Sequence, residues 1–205
     1  MSSKASAVAD EFRSHLNRLA STRAKFENLF ASKKIKRHDV EQVYVGLYLD
    51  AVVSFERFIE TLFIGYLVGR IRPSSKRIVP RISFSSEKVA RDVVFGGQNY
   101  VDWFPYRYTE KRAVAFYRNG LPFTGLQDAD KKAIERLLTI RNAIAHRSSY
   151  SMRTFEKNVI GSLPLTGRER SPAGYLRSIF RITPDQTRYE NLVAEMAGIA
   201  QKLAV

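Results

Sequence analysis

The stretch DVEQVYVGLYLDAVVSFERFIETLFIGYLVG, Asp39 to Gly69, decides the fold class. It holds no proline, and Gly46 and Gly65 are its only weak interior points, so it reads as one long helix that ends before Arg72-Pro73-Ser74-Ser75. Val45, Leu49, Val52, Ile59 and Phe63 recur at three-, four- and seven-residue steps and make one apolar stripe. Glu56 falls within that stripe, between Val52, Val53, Ile59 and Glu60. A carboxylate on a core-facing stripe is costly unless it is paired. The unmatched candidates are Arg141 and His146 on a later helix, and a purely structural salt bridge accounts for Glu56 equally well.

Working outward, the segment before it, Ala5 to Leu29, repeats Val8, Phe12, Leu16 and Leu19 and then Phe26 and Leu29, an amphipathic helix. Ala31 to Arg37 (ASKKIKR) is a basic break, which divides the chain into an N-terminal helix with its break, 1–36, and a helical domain, 37–205. Downstream, Ser85-Ser86-Glu87 starts a helix over Lys88 to Phe95 that Gly96-Gly97 stops. A further helix is expected over Thr109 to Asn119, closed by Asn119-Gly120 and Pro122. Asp128 or Asp130 caps a helix carrying Ile134, Leu137, Leu138, Ile140 and Ile144 up to His146. A short helix over Met152 to Ile160, a loop from Gly161 to Pro172 and a last helix from Asp185 to Leu203, announced by Thr183-Pro184-Asp185, complete the chain. Strand patterning is confined to Arg77 to Phe84. The expected class is all-α, a helical bundle with an irregular, aromatic-rich insertion over 95–123.

The 205 residues include 34 Lys+Arg against 20 Asp+Glu, a net charge of +14. Such an excess points to polyanionic partners, RNA among them. A membrane-surface protein would concentrate its basic residues in one amphipathic segment, whereas here they are spread along the chain. With no cysteine, a disulfide framework, a thiolate metal site and a Cys nucleophile are excluded. Three histidines without H-E-x-x-H spacing suggest neither a metal nor another cofactor. Leu62 to Gly69 is far shorter than the roughly 20 residues of a spanning helix, and MSSKASAVADEF lacks an apolar signal region, so no membrane role and a cytoplasmic location are expected. His38 reads as an exposed helix-start residue and His15 as a solvated one.

The segment with chemical content is Ile140-Arg141-Asn142-Ala143-Ile144-Ala145-His146-Arg147-Ser148. At about 100° per residue, Asn142 and His146 stand one above the other and Arg141 lies on the flank of the same polar edge. Ala143 and Ala145 leave room beside the imidazole. A cation, an amide and a group titrating near neutrality thus crowd the last turns of a helix whose other face is apolar.

R-N-x-x-A-H, late in a helix and followed by Arg-Ser, resembles the R-x-x-x-x-H signature of HEPN-domain proteins. These are α-helical bundles, frequently dimeric, many of them ribonucleases of toxin–antitoxin, abortive-infection and CRISPR-associated defence. The upstream S-F-E-R-F-I-E, Ser54 to Glu60, agrees with an acidic helix preceding the signature. Phe116 to Ser148 resembles the RiboL-PSP-associated HEPN type, with N-G-x-P-F and then L-x-x-x-R-N-x-I-A-H-R-S. The likeness covers Asp39 to Val205, with the middle poorly matched. It implies an endoribonuclease in which Arg141 holds the scissile phosphate, His146 moves a proton, Asn142 orients one of them and Glu56 braces Arg141. It also implies a homodimer and, for a toxin, a separate antitoxin protein.

Plainer readings stand beside these. His146 and Arg147 suit the negative end of a helix whatever they do. Arg147, Arg168, Arg170 and Arg177, with Arg181, would track a phosphate backbone or form a solvated face. The aromatic run Tyr100 to Tyr108 is expected to pack under a loop, with base stacking on Arg107-flanked rings as the alternative. A silent HEPN-like module that binds RNA or protein, and a basic scaffold that only neutralises nucleic acid, are the alternatives to an enzyme.

Overall fold

The computed structural model describes residues 3–205. In chain order the elements are β1 (Ser3–Lys4), α1 (Ala5–Ala31), α2 (Arg37–Leu67), β2 (Ile71–Arg72), α3 (Glu87–Val94), α4 (Tyr106–Phe116), α5 (Asp128–His146), α6 (Ser149–Phe155), α7 (Pro172–Arg177), β3 (Ile179–Arg181), β4 (Gln186–Thr187) and α8 (Arg188–Leu203). The class is all-α. Two compact units divide the chain, and α1, α2, α5 and α8 each contribute to both.

The first unit takes residues 1–13, 54–134 and 197–205. Its core is aromatic. Phe12 lies 5.7 Å from Phe55 and 5.4 Å from Phe58, and Phe63 stands 5.0 Å from each of Trp103, Tyr117 and Phe123. Buried hydroxyls are satisfied on backbone carbonyls: Tyr106 donates to Phe123 at 2.8 Å, and Tyr117 donates to Phe63. Gly65, a weak point by propensity, is required by packing, because a Cβ there would meet Cδ1 of Ile71 at 2.3 Å. Ile71 is thereby seated on α2, where β2 pairs in parallel with β1.

Ser86 caps α3, its Oγ accepting from the N–H of Val89 at 3.3 Å, at the start signal read in the sequence. The helix expected over Thr109 to Asn119 begins and ends earlier, as α4: the carbonyl of Pro105 accepts the N–H of Tyr108 at 2.8 Å, and Tyr117 already has extended backbone. The strand patterning over 77–84 yields a single bridge, Pro80 with Tyr117, since proline has no N–H with which to extend a ladder.

The second unit takes residues 14–53 and 135–196. Leu16, Tyr44, Tyr48, Leu137, Ile140, Phe155, Tyr175, Leu176, Tyr189 and Met196 are all buried. Tyr48 donates to the carbonyl of Leu137 at 2.8 Å, and Tyr44 meets Tyr189 edge-on at 5.5 Å. His15 is not a freely solvated residue, because its Nε2 lies 2.9 Å from Oδ1 of Asp50. His38 is exposed near the start of α2, as its sequence position suggests.

The end of the chain differs most from expectation. Thr183-Pro184-Asp185 does not begin a helix; it turns the antiparallel β3–β4 hairpin. Helix α8 starts at Arg188 behind a capping box: Glu190 Oε2 accepts from the N–H of Thr187 at 2.8 Å, and Thr187 Oγ1 accepts from the N–H of Glu190 at 3.3 Å. The loop expected from Gly161 to Pro172 leads into α7, which has Ser171 as its cap.

On α2, Val45 and Leu49 are only half-buried, while Val52, Ile59 and Phe63 of the expected stripe are buried, and the buried line also takes in Tyr44, Tyr48, Ala51, Phe55, Phe58 and Leu62. The larger aromatic bodies set the buried face. Glu56 therefore flanks that line and is half-buried.

Candidate functional site

Three side chains of the R-N-A-I-A-H segment belong to the second unit and occupy the last two turns of α5. Ile140, Ala143 and Ile144 are 0%, 1% and 6% exposed and anchor the helix on its apolar face. That anchoring leaves Arg141 and Asn142 half-buried at the edge and His146 exposed at the helix end. Arg141 NH1 donates to Oδ1 of Asn142 at 2.9 Å. The bond draws the guanidinium across the roughly 100° between adjacent residues, toward the edge that Asn142 shares with His146 one turn on. Arg141 and Asn142 are thus joined directly, and His146 follows on the same edge with no hydrogen bond of its own among the described residues.

The chain after His146 is shaped to end α5 cleanly. Arg147 adopts a positive φ of 49°, the left-handed conformation in which helices commonly stop. Ser148 then caps α6, its Oγ accepting from the N–H of Ser151 at 3.1 Å. The imidazole stands just before this turn, with Arg147 exposed beside it.

Glu56 lies in the first unit. It accepts the backbone N–H of Trp103 at 3.3 Å, and Glu60, one turn on, accepts the indole N–H of the same residue at 2.9 Å while pairing with Arg91. Glu56 and Glu60 of α2 thus both hold Trp103 in the segment that leads into α4.

The basic residues divide by partner. Arg147 and Arg168 are exposed. Arg170 pairs with Glu156. Arg177 holds both oxygens of Glu27, at 2.9 and 3.0 Å, and its guanidinium lies 4.4 Å from the centre of the Phe30 ring. The hydrogen bond to Glu27 raises the Arg177 pKa further. Arg147 and Arg168 accordingly have the greater freedom to meet phosphate.

Sequence reasoning missed the network that Arg177 enters. Tyr44 donates to Glu27 at 2.8 Å and accepts from Arg23 at 3.2 Å, and Arg23 also pairs with Glu190. Burial pushes the Tyr44 phenol up to about 12, so it remains a neutral donor. Arg23, Glu27, Arg177 and Glu190, with Arg37 and Glu169, line a cleft of about 460 Å³. The sequence offered no local signal for it, since Glu27, Tyr44, Arg177 and Glu190 come from four distant segments. Among the described residues, no group of three or more His, Asp or Glu stands close enough to hold a metal ion.

Fold and site together define an all-α protein that presents a coupled Arg–Asn pair and an open imidazole at one helix end. No family model, curated protein or solved structure matches the chain. Among the described residues no helix is long and apolar enough to cross a membrane.

Proposed function

We propose that the protein is a HEPN-like, metal-independent endoribonuclease that acts as a homodimeric toxin or phage-defence effector. The observation that carries this reading is the Arg141–Asn142 hydrogen bond at 2.9 Å on the edge that leads to an exposed His146. A transphosphorylation needs a fixed cation and a group that can carry a proton, and a guanidinium and an imidazole are groups of those kinds. In the reaction the ribose 2′-OH gives up its proton as O2′ attacks the adjacent phosphorus. The P–O5′ bond breaks, and the leaving oxygen takes a proton. The products are a 2′,3′-cyclic phosphate and a 5′-hydroxyl end.

Arg141, held by Asn142, would carry the extra negative charge on phosphorus. One chain brings one His to this edge, so a two-fold dimer would supply both base and acid. Arg147 and Arg168 would guide the RNA. An antitoxin protein would be a separate chain.

Product analysis tests the reading. Cleavage is expected to persist in EDTA, to leave a 2′,3′-cyclic phosphate, and to stop when the 2′-OH at the cut site is replaced by hydrogen. Equal cleavage of the deoxy linkage would overturn it. RNA binding without any cleavage would instead identify a silent RNA-binding module, the alternative favoured by the exposed Arg147 and Arg168.

A further inference from the structure

A groove of the first unit lies apart in sequence from the R-N-A-I-A-H segment. It measures about 830 Å³ and is lined by the loop 97–102 and one face of α4. Tyr108, Lys111, Arg112 and Ala115 stand on that face at three- and four-residue steps, while Tyr106, Thr109 and Ala113 turn the opposite face into the core. The sequence expectation for the aromatic run therefore splits. Trp103, Phe104 and Tyr106 pack as core, at 1%, 9% and 2% exposure, whereas Tyr100 and Tyr108 face outward at 75% and 39%.

Two exposed tyrosines on one groove form an unusual surface, and the charges beside them narrow its use. Lys111 and Arg112 make no ion pair with a carboxylate among the described residues. Arg112 lies over the Trp103 ring, 5.3 Å from its centre, and donates to the backbone carbonyl of Asp102. Its position is fixed by a ring and a neutral acceptor, so its charge stays uncompensated by contact. Burial lowers its pKa, and the Asp102 carboxylate, which also lines the groove, only partly offsets this. Flat aromatic faces call for a flat, stackable partner, and unpaired cations next to them call for an anion. A nucleotide with its base unpaired carries both on one unit, and a double helix hides its base faces.

We infer that this groove binds a single-stranded RNA segment, its bases stacking on Tyr100 and Tyr108 and its phosphates meeting Lys111 and Arg112. The choice of RNA rests on the proposed nuclease reading; the groove itself does not. The sequence-tolerant character of such stacking would make it a guide for unpaired substrate.

Anisotropy of a labelled short single-stranded RNA, titrated with full-length His146→Ala protein so that cleavage does not intervene, tests the assignment. Tyr100→Ala and Tyr108→Ala, each checked for native helicity by circular dichroism, are expected to weaken Kd by about 5- to 150-fold. Phe at either position should restore binding, because the ring and not the hydroxyl acts. Lys111→Gln should reduce the slope of log K against log salt by about 0.7. Unchanged affinity in both alanine variants, or the absence of any RNA binding, would overturn the proposal. Tyrosine-dependent binding by wild-type protein that never cleaves would sustain the groove and reject the nuclease. Cleavage with tyrosine-independent binding would do the reverse.

Discussion

Replacing Glu27 by alanine removes the acceptor around which the second unit's polar network is arranged. Arg177 loses two bonds, at 2.9 and 3.0 Å, and Tyr44 loses its acceptor at 2.8 Å. The side chains of Arg177 and Glu27 are 17% and 25% exposed, so the pair is neither a surface pair nor a buried one. Exposed pairs contribute about 0–1 kcal/mol and the breaking of buried ones costs about 3–5 kcal/mol. An intermediate loss of about 2–4 kcal/mol is expected, which in a chain of this size lowers Tm by about 4–16 °C. Urea and thermal unfolding followed by circular dichroism measure it. A Glu27→Ala protein within about 0.5 kcal/mol of wild type would refute the reasoning, since that is the scale of an inconsequential surface change. The pH dependence has a definite sign. Burial would raise the Glu27 pKa, but hydrogen bonds from Arg177 and Tyr44 and the charges of Arg177 and Arg23 outweigh it, so it falls below the ordinary 4.5. A depressed carboxyl contributes stability that is complete above its unfolded value and is lost as pH falls through the folded one. The advantage of wild type over Glu27→Gln should therefore shrink as the pH is taken below 4.5.

Gly174→Ala should destabilise the protein by about 1–3 kcal/mol, because the new Cβ would meet the backbone oxygen of Arg168 at 2.1 Å. Gly46→Ala, with nothing within 4 Å of the added carbon and a position inside α2, should instead stabilise by about 0.5–1 kcal/mol; paired melting curves test both. Asn142→Ala should lower RNA cleavage by about 10- to 100-fold with the fold intact, because it frees the Arg141 guanidinium, and steady-state rates should show the loss mainly in kcat. Sedimentation at micromolar concentration should show a dimer, and a stable monomer with full activity would reject the shared site.

Helices were legible where period and punctuation agreed. Helices α1, α2, α3 and α5 follow apolar spacing bounded by signals such as Ser86, which caps as its position suggests. Short elements were not: α7 is six residues long, and the strands of the β3–β4 hairpin are too short and exposed to carry an alternating pattern. The start of α8 was present in the sequence as Thr187-x-x-Glu190, yet Thr183-Pro184 gave the louder signal a few residues earlier. At the candidate site, spacing on one helix placed Asn142 and His146 on one edge, and the structure added the bond from Arg141. The partners of Arg170 and Arg177 were invisible because ion pairing across distant segments leaves no local pattern. The aromatic run showed its density but not which rings point outward, a distinction set by the seating of Trp103 between α2 and α4.

The most direct test of the central claim is the cleavage rate of purified His146→Ala and Arg141→Ala proteins on RNA in the presence of EDTA. Acid–base help is worth about 10²–10⁴ in rate, and stabilisation of the developing charge is of similar size. Each variant is therefore predicted to lose at least about a hundredfold in cleavage while keeping the helical spectrum of the wild type. Wild-type cleavage by folded His146→Ala protein would contradict the account.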